Sequence, residues 1–122
     1  MPYQIEQDHD RIITVTYQGQ VDLAERMAAV EDACRYIDDI DRVLLLIDVR
    51  EVIVKMSLEQ QKTFGTYLAN RQELSRAKVA VLHPAGRNPN QVIDGYAYIN
   101  GYHLVEFSDT REARAWLLGQ LR

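Results

Sequence analysis

The sequence predicts an α/β fold: a mixed five-stranded sheet, mostly parallel, with an antiparallel edge at the amino end and about four helices. Three observations predict it. Arg42-Val-Leu-Leu-Leu-Ile-Asp-Val-Arg50 holds five consecutive aliphatic residues, Val43 to Ile47, between charges. An apolar run without alternation is a strand buried on both faces, which places it in the middle of a sheet. After residue 20, short apolar runs alternate with amphipathic segments, the order produced by parallel strands joined through right-handed helical crossovers. Before it, two strand-like runs flank the turn-forming Asp8-His9-Asp10, so the amino end reads as a hairpin.

The hairpin strands are Tyr3 to Gln7 and Arg11 to Gln18. In the second, Ile13, Val15 and Tyr17 alternate with Thr14, Thr16 and Gln18, the period of two that gives a strand a drier and a wetter face. Gly19 is expected to end it. Asp22, with Glu25 three residues on, forms a capping box for a first helix, along which Leu23, Met27, Val30, Cys34 and Ile37 recur on one stripe. Asp38, Asp39 and Asp41 then crowd a helix end where the dipole disfavours negative charge, so the helix should fray before the central strand.

Beyond Glu51 to Met56, Ser57-Leu-Glu-Gln60 is a second capping box, opening a helix to about Leu74 with Leu58, Phe64, Tyr67 and Leu68 facing inward. Ala77 to Leu82 is another apolar strand. His83-Pro-Ala-Gly-Arg-Asn-Pro-Asn90, with two prolines and a glycine in eight residues, is a loop. Gln91 to Asn100 reads as a third helix carrying Val92, Ile93, Tyr96, Ala97 and Ile99, closed by Gly101. Leu104 to Phe107 is the last strand. Asp109 and Glu112 suggest a third capping box, for a helix whose buried stripe is Ala113, Trp116, Leu117 and Leu121.

At 122 residues the chain fits one domain, and 47% hydrophobic residues are enough to build a core without disulfides or metals. No apolar run approaches the ~18 residues of a membrane span and no basic-then-apolar leader opens the chain, so a cytoplasmic location is the default expectation. The net charge of −4, with Lys and Arg scattered, argues against a nucleic-acid surface. Acidity concentrates between Asp22 and Asp41, where seven acidic residues face only Arg26 and Arg35. The three histidines lack metal-site spacing and the single Cys34 falls on a core stripe, so no metal is expected. No cofactor motif, glycine-rich phosphate loop or nucleophile elbow is present, and no cofactor is expected.

Candidate site residues follow from strand ends. Asp48 and Arg50, two apart on the central strand, share a side and can either pair with each other or face a polar ligand. His83, Arg87 and Asn88 follow the next parallel strand and would share that mouth, His83 as acid or base and Arg87 as an anion holder, unless the segment is an ordinary surface loop. Ser57 sits where a phosphate would meet the free N–H groups of a helix start, although the capping box accounts for it completely. Tyr98 and Tyr102, four apart, would share a helix face turned from Tyr96, a rim for a dimer contact or a ligand pocket.

The strand-rich amino end, the central Leu-Leu-Ile-Asp strand and the closing Phe107-Ser-Asp-Thr-Arg-Glu-Ala-Arg-Ala-Trp-Leu117 resemble the STAS-like proteins, uncharacterised relatives of the sporulation anti-sigma-factor antagonists. The antagonists carry an Asp-Ser-Ser-Gly-type motif, phosphorylated on serine, after the central strand. Here that neighbourhood is Met56-Ser57-Leu58-Glu59, without the preceding aspartate or the following glycine. The resemblance implies a non-catalytic regulatory or protein-interaction domain, without the phosphoserine switch, whose partner is another protein or a second copy of the chain. The architecture also resembles domains that hold lipid-like molecules beside the sheet, which implies a carrier of a small apolar or amphipathic ligand as the alternative. No recognisable set of nucleophile, base and oxyanion stabiliser argues for an enzyme.

Overall fold

The computed structural model describes residues 2–120. Five strands, β1 (Tyr3–Gln7), β2 (Ile12–Val21), β3 (Leu44–Val54), β4 (Lys78–Leu82) and β5 (Leu104–Phe107), form one sheet in sequence order. β1 is antiparallel to β2 and the remaining pairs are parallel. The helices are α1 (Leu23–Cys34), α2 (Leu58–Asn70), α3 (Gln91–Ile99) and α4 (Thr110–Leu117), with a short 3-10 turn at Gln72–Leu74. The architecture is the one expected, and the Val43–Ile47 run does lie in the central strand.

The strand period of two divides β3 between two cores. Leu45, Ile47 and Val49 join Ile13, Val15 and Tyr17 of β2 and Val79 and Val81 of β4 beneath the first three helices. Leu44 and Leu46 join Ile12, Ala80 and Leu82 beneath Ala113, Trp116 and Leu117 of α4. The sheet is therefore covered by three helices on one face and one on the other.

At Val49–Arg50 the pairing with β2 slips by a residue, Thr16 opposing Asp48 but Gln18 opposing Glu51. The extra residue is a β-bulge, and it reverses which residues face which way. Val52 and Val54 consequently stay with the three-helix core, and Ile53 is turned out to solvent. The slip also explains why β2 does not end at Gly19: with φ +70 at that glycine, it continues alongside β3 to Val21.

Local signals held at most helix starts. Asp22 accepts from Glu25 N while Glu25 accepts from Asp22 N, and Ser57 and Gln60 repeat the pattern. At α4 the expected box does not close: Asp109 accepts instead from Arg111 N at 3.2 Å. Leu58 and Ile99 depart from the inward placement expected of them and are exposed, because α2 and α3 pack through faces centred on Phe64 and Gly65 and on Ile93, Asp94 and Ala97. α2 stops at Asn70, four residues short of the expected end. Leu121 lies outside the described residues.

The α2–α3 contact is close because Gly65 has no side chain. A Cβ there would lie 2.7 Å from the Ile93 carbonyl oxygen and 3.0 Å from Ala97 N, both backbone atoms that cannot rotate away. Gly65→Ala is therefore expected to cost about 1–3 kcal/mol by forcing the helices apart, despite alanine's higher helix propensity. Urea unfolding measures it, and a variant as stable as wild type would show that the helices do not meet this closely.

Candidate functional site

α1 presents Arg26, Ala29, Val30 and Ala33 to the sheet, a stripe at i, i+3, i+4 and i+7 that combines one long cationic side chain with three small ones. The short residues leave room in front of the sheet. There a cavity of about 40 Å³ is lined by Val15 and Tyr17, by Leu45, Val79 and Val81, by Phe64 of α2, and by Asn90 and Asp94 at the start of α3. Among the mostly aliphatic walls, its polar groups stand out: Tyr17, Arg26, Asn90, Asp94 and Tyr102.

Arg26 is 1% exposed. Its guanidinium carbon lies 4.4 Å from the centre of the Tyr17 ring and 5.7 Å from that of Phe64, so two aromatic faces carry part of its charge. Its Nε and Nη2 have no hydrogen-bond partner among the described residues. Burial lowers the guanidinium's pKa, an effect that Tyr17 and Asp94 oppose. Arginine nonetheless keeps its proton in proteins, so a positive charge stands inside the core.

Asp94, 4% exposed, closes the other side. Asn90 Nδ2 donates to its Oδ1 at 2.8 Å and Asn88 Nδ2 to its Oδ2 at 3.0 Å. Asn88 also donates to Glu106 on β5. Burial, then the hydrogen-bonded Glu106 carboxyl, push Asp94 up to about 7, while the two amides pull the other way. Beyond Asp94 lies an open groove formed with Gln91, Gly95, Tyr98 and Glu106, so this residue is the wall between cavity and surface.

The residues singled out from the sequence fall elsewhere. Asp48 and Arg50 form a bidentate pair, Arg50 Nε to Oδ1 at 3.1 Å and Nη2 to Oδ2 at 2.8 Å, and Asp48 also accepts from Arg50 N. They brace the bulge, and Asp48 belongs to the α4 side of the sheet, away from the cavity. His83 Nδ1 is 2.7 Å from the Pro84 carbonyl oxygen and Arg87 is exposed; neither contacts the Asp48–Arg50 pair through a side-chain hydrogen bond. Ser57 Oγ is engaged as a cap. Of the loop residues named with them, Asn88 alone reaches the cavity's wall.

Tyr98 and Tyr102 do not share a face. Tyr98 is 65% exposed, whereas Tyr102 is buried, because Gly101 at φ +99 turns the chain back under the helix before Tyr102 is reached. Tyr102 is a cavity wall. Arg26, Asn90 and Asp94 were missed because charged and amide side chains read as surface. Their spacing was the available signal: Arg26 with Ala29, Val30 and Ala33, and Asn90 and Asp94 with Ile93 and Ala97, both occupy the positions of a buried stripe.

Among solved structures, an uncharacterized protein of the DUF3478 family from Shewanella loihica PV-4, described as having a SpoIIAA-like fold, superposes with a TM-score of 0.63 over 94% of this chain and 91% of that one. The fold is SpoIIAA-like. Identity in that superposition is 18%, so the likeness is one of fold, and it agrees with the STAS-like architecture that the sequence implied. No family model and no curated protein matches the sequence. Within this SpoIIAA-like frame no helix among the described residues is long and apolar enough to cross a membrane, and no cluster of His, Cys, Asp or Glu among them is arranged to hold a metal.

The raised Asp94 fixes a pH dependence. Unfolded, the carboxyl loses its proton near its ordinary value of 3.8; folded, it keeps it to about 7. Between those values the native state binds more protons than the unfolded chain, so stability falls as pH rises through this window and levels off above it. Asp94→Asn, which fixes a neutral amide, is expected to flatten the slope between pH 5 and pH 8. Urea titrations at stepped pH compare the two proteins, and parallel profiles would mean that Asp94 is ionised throughout.

Proposed function

We propose that this SpoIIAA-like chain is a non-catalytic binding domain that holds a small amphipathic molecule between its sheet and its three-helix layer. The observation that supports the reading is the Arg26 guanidinium, buried against the cavity with two unpartnered N–H groups. A buried donor without a partner costs about 1–3 kcal/mol, and more when charged, so a site of this kind favours a ligand that supplies acceptors. Aliphatic walls supply the other half of the recognition. The volume, about 40 Å³, suits a small molecule rather than a full lipid chain. Nothing in the cavity combines a nucleophile with a positioned base, which favours binding over chemistry.

Amide NMR titration with short-chain alcohols, amines and carboxylates tests the reading. Saturable shifts are expected at Ala29, Val79, Val81 and Asp94 with at least one class; a spectrum in which these signals stay fixed through the whole panel would dismiss an internal site.

A second reading, self-association, is favoured by the outer side of α3 and the β5 edge. Tyr98, Ile99 at 78% exposure and Val105 at 39% leave apolar side chains in solvent beside a strand whose outer backbone edge has no neighbour in the sheet. Replacing Tyr98 and Ile99 together by Ser is expected to convert any dimer to monomer in sedimentation velocity without lowering the melting temperature. Identical sedimentation of both proteins across a concentration series would remove this face from consideration.

A further inference from the structure

The two unpartnered nitrogens of Arg26 are not an arbitrary pair. Nε and Nη2 carry the two parallel N–H bonds on one side of a guanidinium, the fork whose spacing matches two oxygens on a single carbon or phosphorus. A single group with paired oxygens satisfies both nitrogens at once, which one water or one alcohol cannot do.

Charge decides between the groups that qualify. Arg26 is the sole cation among the residues lining the cavity, and Asp94 stands on the opposite wall. A dianionic phosphate monoester would leave one charge uncompensated in an apolar enclosure, whereas a monocarboxylate balances the guanidinium. Size decides the rest. At about 40 Å³, and with about 10–15 Å³ needed for each water-sized sphere, the space accommodates roughly three or four heavy atoms. Val15, Leu45, Val79 and Val81 would face whatever carbon lies behind the carboxylate.

Resting on the internal-site reading, we infer that the cavity is a receptor for a monocarboxylate of one or two carbons, the size of formate or acetate, its carboxylate bound side-on by Nε and Nη2 of Arg26 and any methyl group packed against the valines of the sheet. Entry is from the α3 side. Asp94, held by Asn88 and Asn90 on the loop preceding α3, separates the cavity from the outer groove, so a small displacement of that loop opens the path.

The experiment is thermal unfolding of the full chain at pH 6, at fixed ionic strength, with formate or acetate against sodium chloride, and with acetamide and ethanol as neutral probes. Wild type is expected to gain a saturable rise in melting temperature with formate or acetate beyond the chloride control, and none with acetamide. Arg26→Met should abolish the rise while melting, without additive, no lower than wild type, since it replaces an unpaired buried charge by an apolar chain of similar length. Arg26→Lys, which keeps the charge but loses the fork, should abolish it too, and serves if the methionine variant does not fold. Carboxylates without effect on wild type beyond chloride, or an undiminished response in either folded variant, would overturn the inference. Stabilisation and cavity amide shifts with ethanol but with no carboxylate would reject the ligand class while leaving an internal site standing; silence from every probe in both assays would reject both.

Discussion

The constraint on which the rest depends is that β3 is covered on both sides. A strand with one wet face can be patterned by simple alternation, but Leu44 to Val49 must satisfy two cores at once, and the helices divide unequally between them. α4 alone covers Ile12, Leu46, Ala80 and Leu82, so its contribution is concentrated in Ala113, Leu117 and the Trp116 ring over Phe107, 5.8 Å between ring centres. The other face carries three helices, and their mutual packing shapes what lies beneath. The bulge at Val49–Arg50 serves the same division: it returns Val52 and Val54 to the crowded side and is braced by the Asp48–Arg50 pair.

The three-helix layer is tight in one place and loose in another. Gly65 brings α2 against the backbone of α3, and this contact fixes where the start of α3 sits. α1 faces the sheet through Ala29 and Ala33, which are too short to fill the space that remains. The result is a void enclosed by well-packed walls, with one cation in it. Desolvation acts on the cation and the carboxyl there in opposite senses, lowering the pKa of Arg26 and raising that of Asp94. A structure selected for stability alone would replace such a cation by an apolar chain of similar volume. Its presence beside unfilled space is the packing feature on which the proposed binding reading rests.

Asn88 and Asn90 link that interior to the surface. The loop between β4 and α3 has few regular hydrogen bonds of its own, and its two amides are spent on Asp94, with Asn88 reaching Glu106 as well. A segment tied down through a carboxyl whose pKa burial raises is sensitive to that carboxyl's charge state. The loop read from the sequence as a mouth at the strand ends thus reaches the cavity wall, through Asn88 and Asn90 rather than through His83 or Arg87.

The sequence by itself determined the element order, the central position of Val43–Ile47, the antiparallel hairpin and the capping boxes at Asp22 and Ser57, because these rest on local periodicity and on hydrogen bonds spanning three residues. It left Asp48 and Arg50 either paired or facing a polar ligand, and the structure shows them paired. Only the tertiary structure decided which side of each helix faces inward when two stripes compete. Leu23, Met27 and Cys34 gave the more hydrophobic line along α1, yet the line through Arg26, Ala29 and Ala33 is the deeper one. Likewise Gly101 separates Tyr98 from Tyr102 by a backbone turn that helical spacing cannot express. The reason is the same in each case: burial of a charged residue depends on partners and empty volume contributed by segments distant in the chain, here Tyr17, Phe64 and Asp94 around Arg26, and no local pattern carries that information.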